Sequence, residues 1–201
     1  MSKIHVFGDS HTLLFSELPY CEVNHLGPIT MHRVGRDGFY SLIAKDKIET
    51  VKKSSSNFIF SFGEIDIRGH VGKQVLKGLN EDEVISDLVD RYMSSLSALE
   101  YDNIMIYNII PPPSHMDSMV FKKAYPMVGT KEKILGYNVD INKRLRDECD
   151  CRGLHFVDIR DNIVNEDGFL DTNKSDGGIH VHPQYYHILG KVLIKKMLGG
   201  I

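Results

Sequence analysis

The chain is short of cysteine, of long apolar runs and of positive charge, and each shortage removes a class of protein. Three cysteines, Cys21, Cys149 and Cys151, in 201 residues are too few and too unevenly spaced for a disulfide framework. No second Cys/His pair stands beside them to complete a zinc site, so they read as reduced thiols and no metal is expected. No apolar stretch approaches the ~20 residues of a membrane-spanning helix. The net charge is -3 and no Lys/Arg run exceeds a pair, so nucleic acid is not an expected partner. The chain opens on a strand-like segment rather than on a charged leader with an apolar stretch, which leads to the expectation of a cytoplasmic protein. Internal repeats and low-complexity segments are absent, and Lys52-Lys53-Ser54-Ser55-Ser56 reads as a short polar turn.

What is present is a core-forming composition, 42% hydrophobic, enough for a single domain spanning 1-201 without stapling. Near-continuous apolar runs at Ile4–Phe7, Cys21–Leu26, Phe58–Phe62, Ile104–Ile110 and His155–Ile159 predict parallel strands covered on both faces. Helical patterns alternate with them. A helix is expected to follow Ser10 through Leu13, Leu14 and Leu18, and another to start at Phe39 to Ile43. Asn80 caps a helix whose inner face carries Val84, Leu88, Tyr92, Leu96 and Leu99, with Glu83 in its first turn. Tyr137, Ile141 and Leu145 define the next, ending near Gly153, and Tyr186, Leu189, Leu193 and Met197 the last. This order predicts an α/β fold: a three-layer α/β/α sandwich on a five-stranded parallel sheet. About twenty residues within 111-133 lack a helical pattern before Lys133, and read equally as a lid or binding loop and as a locally packed insertion.

Ile4-His5-Val6-Phe7-Gly8-Asp9-Ser10-His11 reads as a buried strand ending in a glycine turn that presents a serine at a helix start. Ser10 has two readings there. It is an N-cap, as Ser and Asp often are, or a nucleophile whose own N–H helps hold the negative oxygen formed on attack at an ester. A base stands near the other end, in Ser175-Asp176-Gly177-Gly178-Ile179-His180-Val181-His182-Pro183. A histidine just after an aspartate and a glycine turn is placed to take a serine proton while the carboxylate orients its ring.

Gly8-Asp9-Ser10 at the first strand, Gly63-Glu64-Ile65-Asp66 at the third and the late Asp176/His180 pair together resemble the SGNH (GDSL-like) hydrolase superfamily, over nearly the whole chain. His180-Val181-His182-Pro183-Gln184-Tyr185 is similar to that family's last helix start and selects His180 over His182. The resemblance implies a flavodoxin-like order for the five-stranded sheet and a serine hydrolase acting on carboxylic esters, with Ser10 as nucleophile, His180 as base and Asp176 as its orienter, and with no metal or organic cofactor required. Two departures stand out. Asp176 lies four residues before His180 where the family spacing is three, an offset that an extra glycine can absorb. Ile65 occupies the place of the family's oxyanion asparagine, so this third block resembles a Gly-Glu-Ile-Asp variant, and Arg68 or His70 is the candidate replacement donor. Glu64 would pair with Arg68 or Arg36. The backbone oxyanion donor is expected at Gly35, with Gly27 and Gly38 as competitors, and Asp9, Glu64 and Arg68 are expected around the substrate.

Other readings of the same residues differ in class. The domain transfers acyl groups to a sugar, or binds a glycan without turnover. Alternatively, Asp9-Ser10-His11 and His180-Val181-His182 are halves of a two-metal phosphoesterase site, although no Gly-Asn-His segment completes it. A small-molecule or glycan ester is the expected partner; oligomeric state leaves no sequence signature.

Overall fold

The computed structural model describes residues 3–53 and 56–198; Ser54 and Ser55 of the polar turn lie outside the described residues, as does the side chain of Met197. Five strands, β1 (Ile4–Gly8), β2 (Cys21–His25), β3 (Asn57–Ser61), β4 (Ile104–Tyr107) and β5 (His155–Val157), form one sheet. Its order is β2-β1-β3-β4-β5 and every neighbouring pair is parallel. The helices are α1 (Met31–Asp37), α2 (Lys45–Lys53), α3 (Val71–Leu76), α4 (Glu81–Ser97), α5 (Lys131–Arg152) and α6 (Tyr186–Leu198).

The period of two along the strands sorts side chains into two cores. Phe7, Phe58, Phe60, Ile104 and Ile106 face one side, under apolar residues of α1, α2, α4 and α5. Val6, Ile59, Met105, Tyr107 and Val157 face the other, with Leu14, Phe15, Leu18 and α6 residues Leu189 and Leu193. Phe39 seals the first core edge-on to Phe7 and Phe60, with ring centroids 5.5 and 4.8 Å away. Each fully buried phenylalanine contributes about 1.5–3 kcal/mol of transfer free energy. The expected α/β/α sandwich is the observed one.

Several local expectations need correction. The segment after Ser10 is a 3-10 turn, Ser10–Phe15, and not a long helix; Leu13, assigned to its apolar face, is 41% exposed. The helix after β2 begins at Met31 and not near Phe39, because Thr30 caps it by accepting the Arg33 N–H, and it stops at Gly38. Phe39–Ser41 is only a single turn, and the helix expected to start at Phe39 to Ile43 begins just beyond it, as α2 at Lys45. The strand read as Ile104–Ile110 ends at Tyr107. Beyond it, side-chain amides replace the ladder: Asn142 Oδ1 accepts the Ile109 N–H at 2.8 Å and Asn108 Oδ1 accepts the Ile159 N–H at 3.0 Å. The Asn80 cap and the Gly153 stop stand where expected. The 111–130 segment contains a 3-10 turn, Met116–Ser118, and a further turn closed by the Tyr125 N–H on the Lys122 carbonyl, and α5 starts at Lys131, slightly before the expected Lys133.

Candidate active site

In a parallel sheet the loops that leave the carboxyl ends of the strands meet at one edge, and ligands bind there. Three such loops, after β1, β2 and β3, line a cavity of about 280 Å³ that includes Asp9, Ser10, Gly27, Glu64, Ile65 and Arg68. Lys122 and Tyr125, from the segment before α5, and Ile179 close its sides. A wider depression of about 700 Å³ runs beside β5, with His155, Asp158 and Lys195 on its walls. It shares no residue with the Ser10 cavity, and His155 there is spent on the Lys196 carbonyl at 3.0 Å.

The turn at Ser10 is capped by Asp9, whose Oδ1 accepts the His11 N–H at 2.9 Å. The capping role offered to Ser10 by the sequence therefore falls to its neighbour, and the Ser10 hydroxyl is left for another partner. Ser10 Oγ lies 2.7 Å from His180 Nε2, and His180 Nδ1 lies 3.3 Å from Asp176 Oδ2. Asp176 Oδ1 accepts the Gly178 N–H at 2.8 Å and the His180 N–H at 3.3 Å. The extra residue between Asp176 and His180 is absorbed at Gly177, whose φ of +87° is a left-handed conformation open to glycine. Backbone pairing of the Asp176 N–H with the His180 carbonyl, at 3.0 Å, closes the turn.

Burial lowers the pKa of His180, and the nearby His11 lowers it further, against the pull of Asp176. The ring is thus an unprotonated base at neutral pH. Among the described residues neither the Ser10 nor the Gly27 N–H has a protein acceptor, and both residues line the cavity.

Gly35 does not reach this cavity. It lies inside α1, where an added Cβ would come within 2.9 Å of Arg91 Cβ on α4, so its lack of a side chain serves helix packing. Gly27, its competitor after β2, is the glycine at the cavity, with φ +76° and open space where a Cβ would stand. The helix α1 starts earlier than the sequence pattern implied, which moved Gly35 from the loop into the helix.

Glu64 pairs with Arg68, its Oε1 2.5 Å from Nε; Arg36 instead pairs with Asp37 at 2.6 Å. Both members of the Glu64/Arg68 pair are buried. Arg68 Nη1 also donates to the Tyr125 carbonyl, and the guanidinium lies 4.8 Å from the Phe121 ring. Its Nε and Nη1 are therefore engaged in holding the cavity wall. His70 stacks on His32, 4.1 Å between centroids and 22° between planes, and is not among the cavity residues. Asp66, at the π-turn Asp66–His70, accepts backbone N–H groups of Met31 and His32 and so carries a structural task. His182 Nδ1 accepts the Gln184 N–H at 3.2 Å and caps the turn before α6. Among the described residues no cluster of three or more His, Cys, Asp or Glu is arranged to hold a metal ion, and no helix is long and apolar enough to cross a membrane.

The sequence offers His11 only as a ligand in the two-metal reading, and not as a neighbour of His180. His11 is 7% exposed, its Nδ1 lies 3.0 Å from Asp9 Oδ1, and its ring centroid is 4.8 Å from that of His180. The signal was the i, i+2 carboxylate and imidazole of Asp9-Ser10-His11 itself.

No protein-family model matches the sequence, and no curated protein matches it either. Among solved structures the chain is similar to a lipase/acylhydrolase from Enterococcus faecalis, at 15% identity and a TM-score of 0.62 over 99% of this chain and 96% of that one. It is similar to a GDSL-like lipase from Bacteroides thetaiotaomicron, at 13% identity and a TM-score of 0.60 over 100% and 89%. It is also similar to the OSK domain of Drosophila Oskar, at 15% identity and a TM-score of 0.54 over 96% and 86%. At such identities the likeness establishes the fold, that of the SGNH (GDSL-like) hydrolases, and activity has to be argued from the site.

Proposed function

We propose that this chain is a serine hydrolase of carboxylic esters. One observation carries the reading: the 2.7 Å contact of Ser10 Oγ with His180 Nε2, on a ring whose other nitrogen faces Asp176. His180 takes the Ser10 proton as Oγ attacks the ester carbonyl carbon, and the oxyanion is met by the Ser10 and Gly27 N–H groups. His180 returns the proton to the departing alkoxide, and the alcohol leaves. A water, deprotonated by the same ring, then attacks the acyl-Ser10 ester and releases the acid.

A cavity of about 280 Å³ is at the small end of ligand sites, which favours a short acyl group such as acetyl. Ile65, Pro28 and Ile179 offer it apolar contact, while His25 and Lys122, which also line the cavity, can hydrogen-bond a polar alcohol such as a sugar. With Ile65 at the cavity in place of an amide donor, the oxyanion rests on backbone groups, and the loss of one such donor is worth about 10²–10³ in rate. Turnover is accordingly modest.

The test is hydrolysis of p-nitrophenyl acetate and labelling by a fluorophosphonate, with wild type and Ser10→Ala. Labelling and hydrolysis that vanish together in Ser10→Ala are the expected result; labelling unchanged in the variant refutes the proposal. Acyl-Ser10 that is discharged only when a sugar is added identifies transfer in place of hydrolysis.

A further inference from the structure

The turn that carries Asp176 and His180 is held by its carbonyl groups. The Gly177 carbonyl accepts from His115 Nε2 at 3.1 Å, the Gly178 carbonyl from Ser175 Oγ at 2.9 Å, and the Ile179 carbonyl from His11 Nε2 at 3.2 Å. The last of these comes from the Ser10 turn, so one side chain joins the two halves of the candidate triad across the sheet edge.

That side chain has an unusual pair of partners. A backbone carbonyl only accepts, so His11 Nε2 carries a hydrogen. The Asp9 carboxylate also only accepts; the Oδ1 that faces His11 Nδ1 at 3.0 Å takes the His11 backbone N–H as well. Nδ1 therefore carries the second hydrogen. An imidazole protonated at both nitrogens is a cation, and this one is buried, 4.8 Å from the His180 ring.

We propose that His11 is a positioning residue: a standing imidazolium that fixes the Ile179 carbonyl against the Ser10 turn and keeps the neighbouring His180 ring unprotonated. The inference rests on the ester-hydrolase reading of Ser10 and His180. The charges around the pair act in both directions: His11 disfavours a proton on His180, together with burial, while Asp176 and Asp9 favour one. Asp9, on the same turn, and Glu64, from the loop after β3, are the carboxylates that face His11; burial raises the pKa of Glu64, and its partner Arg68, at 2.5 Å, opposes that shift. Burial opposes the charge on His11, yet Asp9 first and Glu64 after it outweigh burial and push its pKa up to about 9. On the other side, His180 meets Asp176 from its own turn, while Tyr186 from α6 and the apolar Leu14 and Ile110 line the same small cavity with it. His11 is buried and its ring lies against that of His180, so the cation is felt more strongly than it would be in open solvent. Raising a cation beside a base disfavours its protonation; the base then stays competent to lower pH.

Two measurements decide the matter. In wild-type protein labelled with ¹⁵N-histidine, one imidazole, assigned by its loss in His11→Gln, is expected to show both ring nitrogens protonated from pH 6 to 8. A His11 ring that loses a proton near the ordinary value of about 6.5 overturns the proposal. In kinetics with p-nitrophenyl acetate, His11→Gln keeps a donor for the Ile179 carbonyl and removes the charge. The acid limb of its kcat/KM profile is expected to move up by about one pH unit, because His180 now protonates more readily. An acid limb at the wild-type pH overturns the proposal, whatever the plateau does. If His11→Gln fails to fold, the wild-type ring signals at pH 6 to 8 are assigned through their coupling to the Ile179 turn and decide alone. Failure of Ser10-dependent fluorophosphonate labelling in wild type would overturn the ester-hydrolase reading instead, and the ¹⁵N signals would still decide whether His11 is charged.

Discussion

Asp66 Oδ2 accepts the Met31 N–H at 2.7 Å and its Oδ1 the His32 N–H at 3.1 Å. A carboxylate from the loop after β3 thereby closes the first turn of α1, whose Arg33 N–H is already taken by Thr30. Burial pushes the Asp66 carboxyl up to about 7, despite the two backbone N–H groups that favour its charge. In the unfolded chain it ionises near 3.9. The folded form therefore holds more protons between about 4 and 7, and this residue makes stability fall as pH rises through that window. Asp66→Asn removes the slope at the cost of one hydrogen bond, about 1 kcal/mol. Urea midpoints at pH 4, 5.5 and 7 should show the variant gaining on wild type as pH rises; parallel curves would contradict it.

The stacked pair His32 and His70 acts in the opposite direction. Burial, with His32 beside it, lowers the pKa of His70 to about 4. Its unfolded value is about 6.5, so the unfolded chain binds more protons between about 4 and 6.5 and stability is lost as pH falls. His70→Phe keeps a ring on His32 and removes the proton. The variant should gain on wild type below pH 6, and in wild type the two slopes should offset each other, so that each single variant tilts a flatter curve its own way.

Gly27 and Gly35 should separate activity from stability. Gly27→Ala forces a side chain onto φ +76°, and relief of about 1 kcal/mol of strain re-aims an N–H beside Ser10. kcat/KM is expected to fall by about 10²-fold. Gly35→Ala presses on Arg91 and the Tyr92 backbone at 2.9 and 3.0 Å. It should lower Tm while kcat/KM of the folded fraction stays within a few-fold of wild type. Thermal melts and ester kinetics on both variants read the contrast, and the reverse pattern would return the oxyanion role to Gly35.

Arg68→Met leaves the Glu64 carboxylate buried without its partner and the Tyr125 carbonyl without its donor. Breaking a buried pair this way costs about 3–5 kcal/mol. The Arg68 carbonyl still accepts the Val128 N–H, at 2.7 Å, so the far end of the segment stays tied while its middle loosens. Urea unfolding should report the loss, and trypsin should cut sooner after Lys122 or Lys123; unchanged cleavage would argue that Phe121 and Met116 hold the segment without the ion pair.

The layers were legible because they rest on local patterns, apolar runs and caps; the strand order and the candidate trio Ser10, Asp176 and His180 came from the family resemblance, and the structure brings the three side chains together. The boundaries were less legible. β4 stops at Tyr107 because Asn108 and Asn142, distant in sequence, capture the backbone that an apolar run would continue. The start of α1 was signalled by Thr30 after Pro28, but Phe39 and Ile43, which are buried, looked like the face of a later helix. Gly35 was misplaced for that reason. The contact of His11 with the His180 turn is not legible in the sequence, because Ile179 is adjacent to it only in space.

Ser10 and His180 are separated by 170 positions along the chain. At ordinary rates of synthesis the serine leaves the ribosome about 10–30 s before the histidine exists. A nascent or truncated chain thus carries the Ser10 hydroxyl without its His180 partner, and under the proposed function the chemistry switches on only when the last turn docks ahead of α6. Ester turnover, if measured during synthesis, would time the completion of the fold.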